Sequence, residues 1–521
     1  MSGIVLSASV RQNLLSLQST AALLATTQND LATGKKVNTA LDNPTNFFTA
    51  QGLDNRASDI ANLLDGIGNG VQVLQAANTG ITSLQSLVAS AQSIANQVLQ
   101  SPTGYSTKSN VSSATIAGAT ANNLLGNSTN NSVTGSAVNN NLSTPAPITG
   151  STTLSGGANT DSLSSAITTG DTLTVNGVTF TFVAGSVSAG TNIGVGDTVA
   201  HLLSSIDAVT GATPANPSSV SGGKITLNTG TTSNLTIGGS ALAKLGLTAG
   251  TTNVGAPQLS GETLTIASTG GGTPTNITFG TGAGQISTLN GLNAALAANN
   301  LQATISTTGV INIVTSNDAA SSTIGTIAGS ASLGGQAFNG ATAAAPVADP
   351  NSQATRASLV AQYNNVLAQI NTTSQDASFN GINLLNGDTL KLVFNETGRS
   401  TLNITGVTFN DAGLGLANLT AGTDFLDSSS ANKVLTSLTA ASTTLRAEAS
   451  TLGSNLSIVQ IRQDFSKNLI NVLQTGSSNL TLADTNEEAA NSQALSTRQS
   501  IAVSALALAN QSQASVLQLL R

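Results

Sequence analysis

The feature that most constrains the fold is a heptad pattern in residues 56–99. Apolar or small residues recur there at alternating steps of three and four, which places them on one face of an α-helix. The positions are Ile60, Leu63, Ile67, Gly70, Leu74, Ala77, Ile81, Leu84, Val88, Ala91, Ala95 and Val98. A 3.5-residue period kept over about five heptads is typical of coiled coils. The sequence therefore predicts a long helix that packs along its length against another helix.

Both ends of the chain carry the same pattern. Residues 484–521 contain no Gly and no Pro, and Thr485 with Glu488 is predicted to form a capping box at their start. The steps of three and four run through Leu495, Arg498, Ala502, Ala505, Ala509, Ser512, Val516 and Leu519 here, and through Val10, Leu14, Leu17, Ala21, Leu24, Gln28 and Leu31 in residues 4–33. A second apolar row, Ile501, Leu508 and Leu520, widens the apolar surface of the C-terminal helix. Because one partner helix cannot cover all of this surface, the pattern indicates assembly.

Two more helices and a hairpin are predicted in residues 354–373, 431–473 and 390–404. We predict that the long helices form a rod whose internal seam comprises Ile60, Leu63, Ile67, Leu74, Ile81, Leu84, Val88, Leu445, Leu452 and Leu456. We predict terminal-helix and polymerisation contacts at Val10, Leu14, Leu17, Leu24, Leu31, Leu495, Ile501, Leu506, Leu508, Val516, Leu519 and Leu520.

The region from about 103 to 350 differs from both ends, because Gly, Ser, Thr and Asn dominate and the apolar period becomes two. Residues 170–175 and 261–266 resemble each other, and each is followed by a second strand, a short helix and another strand. We therefore predict two tandem β-β-α-β modules, each with one more edge strand, at residues 234–237 in the first. Residues 103–160 carry only weak signals and are predicted to be flexible or extended.

Composition excludes several classes of protein. Charged residues make up 7% of the chain and aromatic residues 2%, and the net charge is −7 without a basic cluster, so nucleic acid is not an expected partner. The chain has no Cys and one His, which excludes thiolate and multi-histidine metal sites. No apolar run is long enough to span a membrane, and the first residues lack the pattern of a secretory signal.

No residue cluster predicts catalysis. His201 lies in a short helical pattern, where a solvated or hydrogen-bonded side chain explains it. Residues 66–70 read Gly-Ile-Gly-Asn-Gly but follow no strand, so a phosphate-binding loop is not expected. The carboxylates of Asp484, Glu487 and Glu488 suit the positive end of a helix dipole. We therefore expect no enzyme activity and no cofactor.

Short motifs at both ends resemble those of bacterial flagellin. They are residues 31–38 with Asp42, residues 65–67, Phe379–Ile382, residues 483–488, residues 506–511 and residues 516–521. The resemblance covers about residues 1–100 and 354–521. It implies a mainly α coiled-coil rod, made of the family's D0 and D1 domains from both chain ends, with an inserted β-rich outer region.

The resemblance also implies an organisation along the chain. Residues 1–42 and 477–521 would form D0, and residues 43–102, 351–430 and 431–476 would form D1. Residues 103–350 would be the outer region, with modules at about 165–250 and 255–340. This insert precedes the hairpin, whereas in well-known flagellins the outer domain follows it.

The function implied by the resemblance is that of a filament subunit for motility. Such a chain would be exported unfolded by the flagellar type III apparatus, would polymerise with copies of itself outside the cell, and would meet an export chaperone, hook-associated junction proteins and a cap. Membrane insertion is not expected. The alternatives are a hook–filament junction protein, an enzyme displayed by the insert, and an adhesin or glycan-bearing surface.

Overall fold

The computed structural model describes residues 7–519, without the side chains of Gln513 and of residues 516–519. The chain forms two compact units. The helical unit contains the described residues up to 93, residues 363–418, and those from 435 onward. The β-rich unit contains residues 94–362 and 419–434.

The described residues form seven α-helices. They are α1 (Ala8–Thr33), α2 (Pro44–Gln100), α3 (Val199–Thr210), α4 (Leu289–Ala297), α5 (Pro350–Asp376), α6 (Ser428–Thr481) and α7 (Thr485–Leu519). The end of α1 follows from local chemistry, since Gly34 takes the left-handed conformation with φ 70°. The predicted capping box of α7 is wrong in its position. Asp484, one residue earlier, is the cap, and its Oδ1 accepts from the backbone N of Asn486 at 2.9 Å.

The strands lie mainly in the β-rich unit. They are β1 (Tyr105–Thr107), β2 (Asn110–Ser112), β3 (Ser132–Thr134), β4 (Thr172–Val175), β5 (Val178–Val183), β6 (Asn192–Gly194), β7 (Ser219–Ser221), β8 (Lys224–Asn228), β9 (Leu235–Gly238), β10 (Gly250–Thr252), β11 (Thr263–Ile266), β12 (Thr275–Thr278), β13 (Leu301–Ile305), β14 (Ile311–Thr315), β15 (Ile327–Ala328), β16 (Val347–Ala348), β17 (Thr389–Val393) and β18 (Thr401–Thr405). The last two form an antiparallel hairpin in the helical unit, where a hairpin is predicted.

The core of the helical unit runs along α2 and α6. On α2, Ile60, Ile67, Leu74, Ile81, Leu84 and Val88 are at most 2% exposed, and Leu63 is partly buried. On α6, Leu445 and Leu452 are buried and Leu456 is partly buried. Full burial of such a side chain contributes roughly 1.5–3 kcal/mol. The core thus depends on many aliphatic side chains of moderate size along the two long helices.

Two glycines of α2 allow close packing against the helical unit's other elements. A Cβ at Gly70 would clash with the side chain of Leu392 on β17. A Cβ at Gly80 would lie 2.6 Å from Leu385 Cδ1 and 2.7 Å from Ala377 Cβ. Gly66, one helical turn before Gly70, has no atom within 4 Å of such a Cβ. The glycine run at 66–70 therefore lies inside a helix, and Gly70 serves packing.

Substitution by alanine should have opposite effects on stability at Gly66 and at Gly70. Gly70→Ala should lower the free energy of unfolding by about 1–3 kcal/mol, because the added methyl group forces Leu392 out of place. Gly66→Ala should raise it by up to about 1 kcal/mol, because alanine favours a helix interior. Urea unfolding of the unassembled chain, followed by circular dichroism, measures both. Equal effects of the two substitutions would contradict the packing described for Gly70.

The β-rich unit has two cores. The first lies among α3, the five-stranded sheet β10-β9-β4-β5-β6 and the three-stranded sheet β3-β8-β7. The second lies among α4 and the three-stranded sheets β12-β11-β15 and β13-β14-β2. Neighbouring strands are antiparallel, except that β5 and β6 are parallel. The predicted β-rich inserted region is confirmed, and it contains these two hydrophobic cores.

The predicted repeat has an equivalent place in each core. Gly170 and Gly261, with φ 94° and 82°, each precede the first strand of the repeat. The backbone N of Gly170 donates to Phe182 O at 2.9 Å, and that of Gly261 donates to Phe279 O at 2.9 Å. The structure adds strands that the predicted β-β-α-β order lacks, namely β6, β7, β10, β13 and β15.

The prediction that residues 103–160 are flexible or extended is wrong for much of this stretch. Strand β2 pairs with β14, and strand β3 pairs with β8. The stretch also contributes to both cores, with Ile116 and Leu124 in the second and Ile148 and Leu154 in the first. Each strand has three residues and its partner is far along the chain, so a local sequence window carries almost no signal for it.

Arg356 joins three segments of the β-rich unit. Its side chain lies in the first turns of α5 and is 1% exposed. Its Nε donates to Pro102 O at 2.7 Å, its Nη2 donates to Val98 O at 3.1 Å and Ser101 O at 3.0 Å, and its Nη1 donates to Phe425 O. The guanidinium therefore satisfies carbonyls at the end of α2 that have no partner within the helix.

Arg356→Met should lower the free energy of unfolding of the β-rich unit by about 3 kcal/mol, because several buried carbonyls lose a charged donor. The exposed Arg399→Met is the control, with an expected change within about 0.5 kcal/mol. Thermal unfolding of both variants measures the difference. A melting curve for Arg356→Met that matches that of the control would contradict the role of this guanidinium.

Candidate assembly surfaces

The two terminal helices of the described chain pack along each other. On α1, the buried side chains are Val10, Thr20, Thr27 and Asp30. On α7, partly buried side chains recur at steps of four and three: Glu488, Ser492, Leu495, Gln499, Ala502, Leu506 and Ala509. This period is that of a two-stranded coiled coil.

The face that α7 turns towards α1 differs from the predicted one. Arg498, Ala505 and Ser512 were expected in the seam but are exposed, whereas Gln499 and Leu506 are partly buried. The physical reason is composition, because alanine and serine occur all round this helix and do not define one apolar face. Leu17, Leu24 and Leu495 are partly buried. Leu520 and the side chains of Val516 and Leu519 lie outside the described residues.

Large apolar side chains remain uncovered on both terminal helices. They are Leu14, Leu15, Leu23 and Leu31 on α1 and Ile501, Val503 and Leu508 on α7, and they are between 36% and 71% exposed. Two helices with exposed leucine, isoleucine and valine at this density offer apolar surface for further helices.

The links that follow α1 and precede α7 are hydrogen-bonded to each other. The backbone N of Lys36 donates to Thr481 O at 2.8 Å, and that of Ala483 donates to Gly34 O at 3.0 Å. Lys35 and Leu482 form an antiparallel bridge. These bonds hold the end of α1 and the start of α7 beside the end of α6.

The helices that carry these surfaces match a known family. Residues 435–520 match the model for the bacterial flagellin C-terminal helical region. Flagellin FljM of Caulobacter vibrioides is 33% identical to the chain over 165 residues, and Flagellin FljK of the same organism is 32% identical over 165 residues. Through this C-terminal helical region, the chain is similar to the bacterial flagellins.

The match to the two flagellins covers 31% of this chain and 59% of each relative, which is less than two thirds of the relatives' own length. The matched family region includes most of α6 and nearly all of α7. The surface with exposed Ile501 and Leu508 therefore lies in the part of the chain that matches the flagellin C-terminal region.

The single histidine of the chain lies in a small polar cluster of the β-rich unit. His201 Nδ1 lies 2.7 Å from Asp197 Oδ2, one turn earlier, and Ser188 Oγ donates to the same carboxylate at 2.5 Å. Within residues 7–519, no group of three or more His, Cys, Asp or Glu side chains could hold a metal ion. None of the described helices is long and apolar enough to cross a membrane.

The last turn of α1 contains a buried carboxyl group. Asp30 is buried, and Asn38 Nδ2 donates to its Oδ1 at 3.1 Å. Burial and the nearby carboxylate of Asp42 raise the pKa of Asp30. Asp42 Oδ2 itself accepts from the backbone N of Asn38 at 2.9 Å and of Thr39 at 2.7 Å, and these bonds lower its pKa.

The raised pKa of Asp30 predicts a pH dependence. Since the folded link holds this proton more tightly than the unfolded chain, the contribution of Asp30 to stability falls as the pH rises through its raised pKa. Asp30→Asn resembles the protonated form, so it should slow protease cleavage between α1 and α2 at neutral pH. At strongly acidic pH, the variant and the natural chain should be cleaved by an acid protease at the same rate. A slower rate at both pH values would contradict the electrostatic cause.

Proposed function

We propose that the chain is a structural subunit that polymerises into the bacterial flagellar filament for motility. The observation that carries the proposal is the apolar surface of the α1–α7 pair, on which Leu15, Ile501 and Leu508 are each more than 60% exposed. In the assembled filament, we propose that copies of the same helix pair cover this surface. The predicted terminal contacts at Leu14 and Leu31 would belong to the same surface, whereas Val10 is buried within the chain.

Energetics support self-assembly at this surface. Burial of each exposed apolar side chain against a neighbour contributes roughly 1.5–3 kcal/mol. The exposed stretch of α7 from Arg498 to Ser512 contains one charged residue, so copies can approach with little repulsion between like charges. A contact that repeats between identical copies without closing a ring gives a helical filament.

The proposal also covers the export of the subunit and its incorporation into the filament. We propose that it is exported unfolded by the flagellar type III apparatus with an export chaperone, and joins a filament outside the cell between hook-associated junction proteins and a cap. We propose no catalytic role and no cofactor. The polar side chains that α1 buries, Thr20, Thr27 and Asp30, support this path, because such a pair is only marginally stable before assembly.

Removal of residues 484–521 tests the proposal. The truncated chain lacks α7 and should stay in the supernatant after centrifugation under conditions in which the full chain sediments as filaments. Electron microscopy identifies the filaments. Filaments formed by the truncated chain would falsify polymerisation through the terminal helices.

A double substitution separates loss of the surface from loss of the helix. Ile501→Gln with Leu508→Gln keeps α7 but removes two exposed apolar side chains, so the concentration needed for filament growth should rise by at least about tenfold. Val187→Gln is the control, because Val187 is 82% exposed and lies in the β-rich unit. Its critical concentration should match that of the natural chain.

A further inference from the structure

A second uncovered apolar surface lies on α6, in the helical unit. It comprises Ile458, Ile461, Phe465 and Val472, which are between 44% and 66% exposed, and it is called the α6 stripe below. Steps of three, four and seven keep these residues on one face over about 21 Å of helix. The residues that α6 buries at this level, Val459, Ser466 and Leu473, recur at steps of seven on another face. Single exposed apolar residues are common, but a continuous row marks an interface.

A face of α2 in the same unit is shaped for close approach. It comprises Gly52, Asn55, Asp59, Asn62, Gly66 and Asn69, all exposed and spaced at steps of three and four, and it is called the α2 face below. A Cβ added at Gly52 or Gly66 would have no atom within 4 Å. Glycine weakens a helix interior relative to alanine. Packing within the chain therefore gives no reason for glycine at either position.

The two helices carry opposite net charges. α2 has three aspartates and one arginine, a formal charge of −2, and α6 has four basic and two acidic residues, a formal charge of +2. The ion pairs among the described residues include none between α2 and α6. The basic α6 of one copy and the acidic α2 of another therefore attract each other.

We infer that the α6 stripe of one copy docks on the α2 face of a second copy. Apolar side chains such as Phe465 then contact the α2 backbone of the second copy, which Gly52 and Gly66 leave without a covering side chain. Because the two surfaces differ, a row of copies has a free stripe at one end and a free face at the other, so the contact repeats without closing. The inference rests on the proposed function and adds a contact in the helical unit to that of the terminal helices.

The first test removes the stripe. Ile461→Gln with Phe465→Gln should raise the critical concentration for filament growth by at least about tenfold, because two apolar contacts per copy are lost. Val187→Gln with Leu333→Gln is the matched control, since those side chains are 82% and 63% exposed and lie outside the helical unit. The control should assemble at the concentration of the natural chain. Circular dichroism of the monomers checks that both variants keep their helices.

Gly66→Ala provides a second variant that cannot act through misfolding. It should make the unassembled chain more resistant to urea, because nothing in the chain meets the added methyl group. It should also raise the critical concentration, because the methyl group keeps the neighbouring copy away. A variant that is stabilised and assembles as readily as the natural chain would overturn docking at Gly66.

Disulfide trapping identifies the partner surface, and the absence of Cys from the natural chain makes single-cysteine variants specific. Filaments grown from a mixture of Phe465→Cys and Asn62→Cys chains should give a mixed dimer on mild oxidation. A mixture of Phe465→Cys and Val187→Cys should not. Dimers of Phe465→Cys chains with each other, without the mixed dimer, would overturn the assignment of α2 as the partner.

The outcomes separate the inference from the proposed function. If the natural chain and the variant with Ile461→Gln and Phe465→Gln form filaments at equal concentrations, the α6 stripe is not an assembly contact, and polymerisation through the terminal helices stands. If the natural chain forms no filaments with added filament seeds, the proposed function fails and this inference fails with it.

Discussion

The helical unit depends on a regular row of buried aliphatic side chains along α2 and α6, and the two helices share the cluster of Ala57, Ile60 and Leu473. A chain with 2% aromatic residues cannot obtain its core from a few large rings. It obtains it from many moderate contacts, such as those of Ile67, Ile81 and Leu445, repeated over long helices. The hairpin and the segment after α5 complete this core, and Gly70 and Gly80 let Leu392, Leu385 and Ala377 approach the backbone of α2. Such a row tolerates substitution at a single position, but it does not tolerate a change of period. An insertion of one residue would rotate every later side chain of the row away from the core.

The long helices could be predicted because their contacts repeat in sequence. Each heptad of residues 56–99 repeats the same apolar spacing, so a polar or small residue at one position does not obscure the pattern. The short strands β2 and β3 could not be predicted, because each has three residues and depends on a partner far along the chain. The face of α7 was misplaced because alanine fits equally well inside and outside a helix pair.

Single side chains were the hardest to predict. Arg356 in the first turns of α5 has no sequence signal that separates it from an exposed arginine, yet it is buried and bonded to four carbonyls. Gly66 and Gly70 are equally inconspicuous in the sequence, and only the position of Leu392 shows which of them packing requires. The candidate assembly surfaces were predicted as helices with excess apolar residues, but the exposed row on α6 was missed. The heptad pattern of this helix lies on its other face, so the pattern gives no indication of the exposed row.

The arrangement of α1 shows why assembly and folding are coupled in such a chain. Its leucines at 14, 15, 23 and 31 are exposed, while Thr20, Thr27 and Asp30 are buried. The hydroxyl of Thr20 is satisfied, since it donates to Ser16 O at 2.8 Å, so the inward polar groups cost little. These polar groups also contribute little to the stability of the helix pair, which buries few apolar groups. Most of the apolar surface that can stabilise these helices is therefore buried only when other helices cover the outward leucines. Under the proposed function, the stability of the α1–α7 pair then depends on the concentration of other copies.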